Sequence, residues 1–373
     1  MNASGRDPAI RRVVNAVGTW TMYGAAPACD EAAAATAEAL RTSYVMDELQ
    51  AAASRAVAAA TGAEAGCITA CSAAGVALSI AACMTGADVA RVRQLPDTSG
   101  LKSEVVLLKG HVVDFGADIR QMVRLAGARV VEAGTATHCS EPELAAAFGP
   151  ATAAALYVVS HLCVLRGMPS LARFAAIAHA RGVPVVVDAA AEYDLEAFHR
   201  AGADLVVQST HKFLRGPTAG MVSGKAGLVQ AVAAQNQGIG RPMKVGKEGI
   251  VGALAALARW QSADHAADRA ADRARLERAA ERLGNLRGIR TEPEADTTGN
   301  PVVRLRVLVD AASAGIDAAE LSRRLKSGPV VYATRDHLAD LGYLLLDPRS
   351  LSDAEMDELC DAMRGALARG KTG

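Results

Sequence analysis

Asp188 and Lys212 are the residues of this 373-residue chain whose type and placement most directly permit chemistry. The acid closes the apolar run PVVVD, and the amine follows a second such run in DLVVQSTHK. A carboxylate at the end of an apolar strand is costly unless a cation or a donor meets it. Lysine is scarce, being confined to Lys102, Lys109, Lys212, Lys225, Lys244, Lys247, Lys326 and Lys371. One of so few, placed at a strand end 24 residues after the strand-end acid, is poorly explained as a solubilising surface charge. An amine there is a candidate nucleophile or base, with the carboxylate a candidate partner. Far upstream, Thr69-Ala70-Cys71-Ser72-Ala73-Ala74-Gly75 leads from an apolar run into a helical pattern. Its small residues let backbone N–H groups and a hydroxyl approach an anion such as phosphate. The string fits neither the Walker nor the dinucleotide pattern, and a plain helix cap at Ser72 explains it equally well.

The elements that must position these residues are an alternation of strands and helices. Between about residues 60 and 225, GCIT, VVLLK, RVVEA, ALYVVS, PVVVDAA, DLVVQS and GMVSG are strand candidates, separated by helical segments such as LARFAAIAHARG and DLEAFHRAG. Strands apolar almost throughout indicate a mainly parallel α/β sheet covered on both faces. Ligands of such sheets bind at the carboxyl ends of the strands. Beyond about residue 245, IVGALAALARWQSADHAADRAADRARLERAAERL reads as one long helix, apolar at first and charged later. VVRLRVLV, PVVYATR and GYLLLDP, with two helices, make a smaller C-terminal α+β unit. The expected division is an N-terminal segment 1–45, a large domain 46–250, and a connecting helix with the small domain 251–373.

Composition narrows the classes of function. Lys+Arg and Asp+Glu are both 40, so the formal charge is zero, which argues against a surface built to neutralise nucleic-acid phosphates. At 51% hydrophobic and 21% charged, the chain has ample material for a core. No run approaches the ~18 apolar residues that would span a bilayer, and MNASGRDPAIRR lacks the apolar stretch of a signal peptide. The seven cysteines show no paired metal-ligand spacing; Cys67 and Cys71 are close, but nothing downstream completes a set, so no metal is expected. They read as free thiols in a reducing compartment, the cytoplasm.

Together, the Asp188–Lys212 spacing, Ser209 before the lysine and the small-residue turn upstream resemble the fold-type-I family of pyridoxal-phosphate enzymes. SHLCVLRGMPSL, VVVDAAAEYDL, DLVVQSTHKFLRGPTAGMVSGK and GIGRPMKVGKEGIVGALAAL look like its selenocysteine-synthase-like branch, and within it the D-glucosaminate-6-phosphate ammonia-lyase group. ALRTSYVMDELQ and TGAEAGCITACSAAG extend the likeness over essentially the whole chain. The resemblance implies an aspartate aminotransferase-like fold, pyridoxal 5'-phosphate as cofactor, and site residues as follows. Lys212 forms the Schiff base and serves as general base, while Asp188 keeps the pyridinium nitrogen protonated. Ser72, Ala73 and Ser209 hold the phosphate. His111 lies on the cofactor ring, with His211 its competitor for that place and otherwise a cofactor contact. His161 donates to the cofactor's phenolic oxygen or to substrate. Arg335 takes the substrate α-carboxylate, and the Gly238–Lys247 loop, with Arg241 and Lys244, meets phosphate on cofactor or substrate, often across a subunit boundary. The remaining histidines read as structural.

The activity so implied is a lyase acting on an amino acid or amino sugar acid, removing the α-proton and a β-substituent to give a 2-keto acid and ammonia. Racemisation, aldol cleavage, β-substitution, transamination and selenium transfer to seryl-tRNA share the same first carbanion. At least a homodimer with shared sites is expected, with no membrane partner.

Overall fold

The computed structural model describes Asp7 and residues 10–368, which divide into two compact units, 28–263 and the N-terminal residues to 27 together with 264 onward. The strands in chain order are β1 (Arg12–Ala16), β2 (Ala65–Thr69), β3 (Glu104–Leu108), β4 (Arg129–Ala133), β5 (Thr152–Val158), β6 (Val185–Asp188), β7 (Leu205–Ser209), β8 (Gly220–Gly224), β9 (Ile289–Ala295), β10 (Val303–Val309), β11 (Val330–Thr334) and β12 (Tyr343–Leu346).

In the larger unit seven strands pair in the order β2-β8-β7-β6-β5-β3-β4, and only β8 runs antiparallel to its neighbours. The near-continuous apolar runs are explained by burial on both faces. Val105, Leu107, Leu156, Val186 and Val207 point into one core with the helix Ser72–Thr85, whose residues from Ala74 to Ala82 are all buried. Val106, Leu108, Ala155, Val185, Val187 and Val206 alternate with them and pack on the other face with Phe174, Ala175 and Ala178 of the helix Leu171–His179. The helix Asp30–Arg41 brings Ala32 to a third cluster with Ile250, Ala253 and Leu257.

The smaller unit holds the antiparallel sheet β12-β10-β9 and the parallel pair β1-β11. Its core gathers Leu305, Val307, Leu321, Leu344, Leu346, Leu359 and Met363.

Three sequence expectations require correction. The long helix is two, Lys247–Ser262 and His265–Gly284, because Asp264 leaves helical geometry and its carboxylate accepts from the N–H groups of Ala266 and Ala267, both at 3.0 Å. The DLEAFHRAG helix is limited to Ala197–Arg200. The 1–45 segment is no independent piece: β1 pairs with β11 in one unit, whereas Asp30–Arg41 packs in the other, so the units part at 27/28 and 263/264 instead of at 45 and 250.

Candidate active site

Strand register brings the polar residues to one edge of the large sheet. Thr69 and Ser209 both pair with Gly220, Asp188 pairs with Val207, and Val158 pairs with Asp188. The carboxyl ends of β2, β7, β6 and β5 therefore line up, and Lys212 follows β7 in the turn that leads to β8. The 210–219 turn is tied at its mouth: Thr210 N–H donates to Ala219 O at 3.1 Å, and its hydroxyl donates to Pro217 O at 2.6 Å.

Asp188 accepts a hydrogen bond from Ala190 N–H at 3.1 Å. Burial pushes its carboxyl up, against the pull of the Lys212 ammonium. Burial likewise pushes the Lys212 amine down, against the pull of Asp188 and Glu192. An amine so placed deprotonates more readily than a surface lysine, which suits a nucleophile or base.

Around this pair lie buried polar atoms without a hydrogen-bond partner. They are Ser209 Oγ, His211 Nδ1 and Nε2, and His111 Nε2. Leaving such a group unsatisfied costs about 1–3 kcal/mol each, so their collection at one sheet edge marks a place for a polar ligand. His211 is 8% exposed, and burial, reinforced by Lys212, lowers its pKa to about 4. His111 is wholly buried at the end of β3, and burial lowers its pKa to about 4. Its Nδ1 accepts from Val158 N–H at 3.3 Å, which assigns the ring proton to Nε2. Tyr157 meets that imidazole edge-on at a centroid distance of 4.5 Å. His161 stands on the loop after β5, half-buried.

The upstream turn is drawn tightly against the sheet. Cys71, not Ser72, is the N-cap: its Sγ accepts from Ala74 N–H at 3.3 Å, so Ser72 and Ala73 open the helix with N–H groups that no intrahelical carbonyl can serve. Gly220 makes this approach possible, since a Cβ there would lie 2.5 Å from the backbone of Cys71. The Thr69 hydroxyl donates to Cys71 O at 2.9 Å and fixes the turn.

The structure gives the other expected residues the following surroundings. Arg241 and Lys244 are exposed, on and beside the short turn Arg241–Met243. Lys247 donates to Leu40 O at 3.3 Å and to Thr42 O, stapling the end of Asp30–Arg41. Gly238 and Gly240 are packing glycines, because a Cβ would lie 2.4 Å from Val92 O and 2.8 Å from Gln235 O respectively. Arg335 belongs to the smaller unit, 4% exposed, with Nε donating to Val17 O at 2.9 Å and the guanidinium over the Trp20 ring at 5.6 Å. Sequence reasoning missed the carboxylates and arginines packed near Arg335; the only local sign was the DPR after β12. Thr69 and Gly220 were visible as strand ends, without their register.

A family model described as L-seryl-tRNA selenium transferase (SelA) matches residues 13–336. The chain belongs to the SelA family. Among curated SelA-like relatives, the D-glucosaminate-6-phosphate ammonia lyase of Salmonella typhimurium (strain 14028s / SGSC 2262) is 38% identical over 347 residues, 93% of each chain. The 5'-C-glycyluridine monooxygenase-decarboxylase of a Streptomyces species is 39% identical over 344 residues, 91% of this chain and 86% of that one. The solved structure of D-glucosaminate-6-phosphate ammonia-lyase superposes with a TM-score of 0.90 at 36% identity, over 97% of both chains. A Thermus thermophilus aspartate aminotransferase double mutant, 18% identical with a TM-score of 0.56 over 95% of this chain and 92% of that one, shares the fold. This SelA-family chain thus has the aspartate aminotransferase-like, fold-type-I architecture expected from its sequence.

Proposed function

We propose that the chain is a pyridoxal-phosphate-dependent lyase that takes an amino sugar acid or related β-hydroxy amino acid. It removes the α-proton and loses the β-hydroxyl as water; hydrolysis of the C–N bond then gives a 2-keto acid and ammonia. The observation that carries this reading is the half-buried Asp188–Lys212 pair set among unsatisfied Ser209, His211 and His111 atoms. The likeness to an ammonia lyase over 93% of the chain supports it.

The residues present fit the cofactor. Bound there, pyridoxal phosphate supplies a carbonyl carbon for an amine and an electron sink for a carbanion. Lys212 would be the amine that holds the group and, when free, the base for the substrate α-proton. Asp188 keeps its negative charge for a protonated ring nitrogen, which resolves the cost of burying it. The Ser209 hydroxyl, a His211 ring nitrogen and the Ser72 and Ala73 N–H groups cradle the phosphate. His111, its proton held on Nε2, would serve the ring, and His161 would donate to the phenolic oxygen or to substrate. Arg335 receives the substrate carboxylate, while Arg241 and Lys244 receive a substrate phosphate, in a homodimer or larger assembly whose subunits share sites. The seven free cysteines agree with a cytoplasmic setting. Among the described residues no helix is long and apolar enough to cross a membrane.

The test is reduction of the purified holoenzyme with borohydride, followed by peptide mass analysis and by assay with D-glucosaminate 6-phosphate. The cofactor should be fixed on Lys212, and Lys212→Ala should lose both that adduct and activity by several orders of magnitude, on the order of 10³-fold or more. An adduct on another lysine overturns the assignment. The 39%-identical monooxygenase-decarboxylase supports a second reading, loss of the carboxylate with oxygen uptake. Carbon dioxide and oxygen consumption in place of ammonia and keto acid would select it.

A further inference from the structure

The smaller unit buries three arginines against two aspartates. Asp347 is wholly buried, Arg304 is 5% exposed and Arg335 is 4% exposed. The Asp347 carboxylate is saturated. Its Oδ1 accepts from Arg349 N–H at 3.2 Å and Arg349 Nε at 2.8 Å; its Oδ2 accepts from Arg349 Nη2 at 2.6 Å and Arg304 Nε at 3.0 Å. A carboxylate offers about four lone-pair sites, so none is left. Asp296 is engaged as well: its Oδ1 accepts from Thr298 N–H at 3.0 Å, Thr298 Oγ1 at 2.7 Å and Asn300 Nδ2 at 3.2 Å, and its Oδ2 meets Arg304 Nη2 at 2.8 Å. Asp272, the next acid, accepts from Arg275 at 2.8 Å. Gly18 closes over Asp347, since a Cβ there would lie 2.7 Å from the carboxyl group. Arg335 is thus the guanidinium that the cluster does not neutralise. Its Nε is used by Val17 O and its face by Trp20, which orients the group, while its terminal nitrogens donate to no protein atom among the described residues.

We propose that Arg349 is a positioning residue: by occupying Asp347 it prevents that carboxylate from pairing with Arg335, and so keeps Arg335 open as a receptor for a carboxylate ligand. This rests on the reading that Arg335 receives the substrate carboxylate, and adds what makes it available. Arg335 also feels burial and the Arg304 and Arg349 charges, which together lower its pKa to about 10, the state of a cation short of anions. Removal of the Arg349 side chain vacates two of the four acceptor positions on Asp347, one on each oxygen, while the Arg349 backbone N–H stays in place. A neighbouring guanidinium with unused donors is then drawn to them, and the receptor closes on an internal anion.

The measurement is calorimetric binding of glycine and of ethanolamine to the cofactor-loaded protein. The two amines differ by a carboxylate against a hydroxymethyl group, and neither carries a β-substituent to eliminate. The wild type should prefer glycine, and Arg335→Gln should remove the preference. Arg349→Gln should reduce it about tenfold or more, although Arg349 does not itself touch the ligand. Arg349→Lys, which keeps a cation on Asp347, should retain most of it, and Asp347→Asn, which removes the competing anion, should not lower it. A wild-type ratio in folded Arg349→Gln overturns the proposal, as does a fall in Asp347→Asn equal to that in Arg349→Gln, the mark of a merely structural effect. If Arg335→Gln leaves the ratio unchanged, the failure lies with Arg335 as receptor. Should Arg349→Gln not fold, Arg349→Lys and Asp347→Asn decide: retained preference in both, beside its loss in Arg335→Gln, supports the proposal, and a tenfold fall in either overturns it.

Discussion

The two ends of β6 and β7 carry the same kinds of residue and treat them in opposite ways. At the amino end, Asp204 accepts from Val185 N–H at 2.6 Å, His179 Nε2 at 2.7 Å and Lys225 Nζ at 2.6 Å. Burial alone would push that carboxyl up, but Lys225, the Val185 amide and His179 hold it below the ordinary range. His199 likewise bonds the Ser223 hydroxyl at 2.8 Å. At the carboxyl end, Asp188 has one backbone donor and is pushed upward, while His211 and Ser209 find no protein partner for their polar atoms. One acid is finished by the fold alone, and the other is left for something the fold does not contain. Satisfied polar residues at one end of a sheet thus give a reference against which the unsatisfied ones at the other end become informative.

The largest test of this contrast is Asp188→Asn. The amide keeps the shape but carries no charge for a ring nitrogen, so turnover should fall on the order of 10²–10³-fold, with cofactor absorbance retained. Near-native turnover would assign the role to another acid, and Glu192 would be examined first. Asp204→Asn should do the reverse. Stability to denaturant should fall by about 1–3 kcal/mol, because a buried acceptor loses its charge while the exposed Lys225 ammonium can return to water. Turnover per folded molecule should stay at the wild-type value.

The same pair differs in its response to acid. Asp204, whose folded pKa is depressed, contributes stability that is complete above the ordinary carboxylate value of about 4 and is lost as the pH falls through its lower folded value. Unfolding titrations should therefore show a shallower acid decline in Asp204→Asn than in the wild type; identical slopes would mean that Asp204 is not perturbed. The smallest effect is assigned to Ser209→Ala, which removes one donor from the proposed phosphate cradle and should weaken cofactor affinity about tenfold, measured by fluorescence titration of the apoprotein. No change would leave His211 and the helix N-terminus as the phosphate contacts.

The sequence made Asp188 and Lys212 legible because each interrupts an apolar run at a strand end, a signal that survives without any knowledge of pairing. Six of the seven sheet strands were legible because they are apolar and buried almost throughout; β4, an edge strand in which only Ala133 is buried, was legible from the short apolar run in RVVEA. β9 was not: IRTEPEA is polar, contains Pro293 and lies at a sheet edge, where one side needs no apolar residues. The break at Asp264 was hidden because no glycine or proline marks it, and helix-forming alanines continue on both sides. The N-cap fell one residue from its expected place, since a thiol capped the helix where a neighbouring hydroxyl looked better suited. The Asp347 cluster joins residues from 296 to 349, a pairing with no local period to betray it.

The closed mouth of the 210–219 turn has a consequence for time. Ser209 and Gly220 are paired in the sheet, and Thr210 holds both Pro217 and Ala219, so the α-carbon of Lys212 is carried on a short, fastened loop. On the proposed assignment the Lys212 amine would let go of one carbon and reach toward another in every turnover, and its four-carbon stem could do so by rotation about its own bonds. Such torsions take picoseconds to nanoseconds, far faster than the microsecond-to-millisecond rearrangement of a loop. The lysine can change partners without the sheet edge having to move, and this step need not set the pace of the cycle.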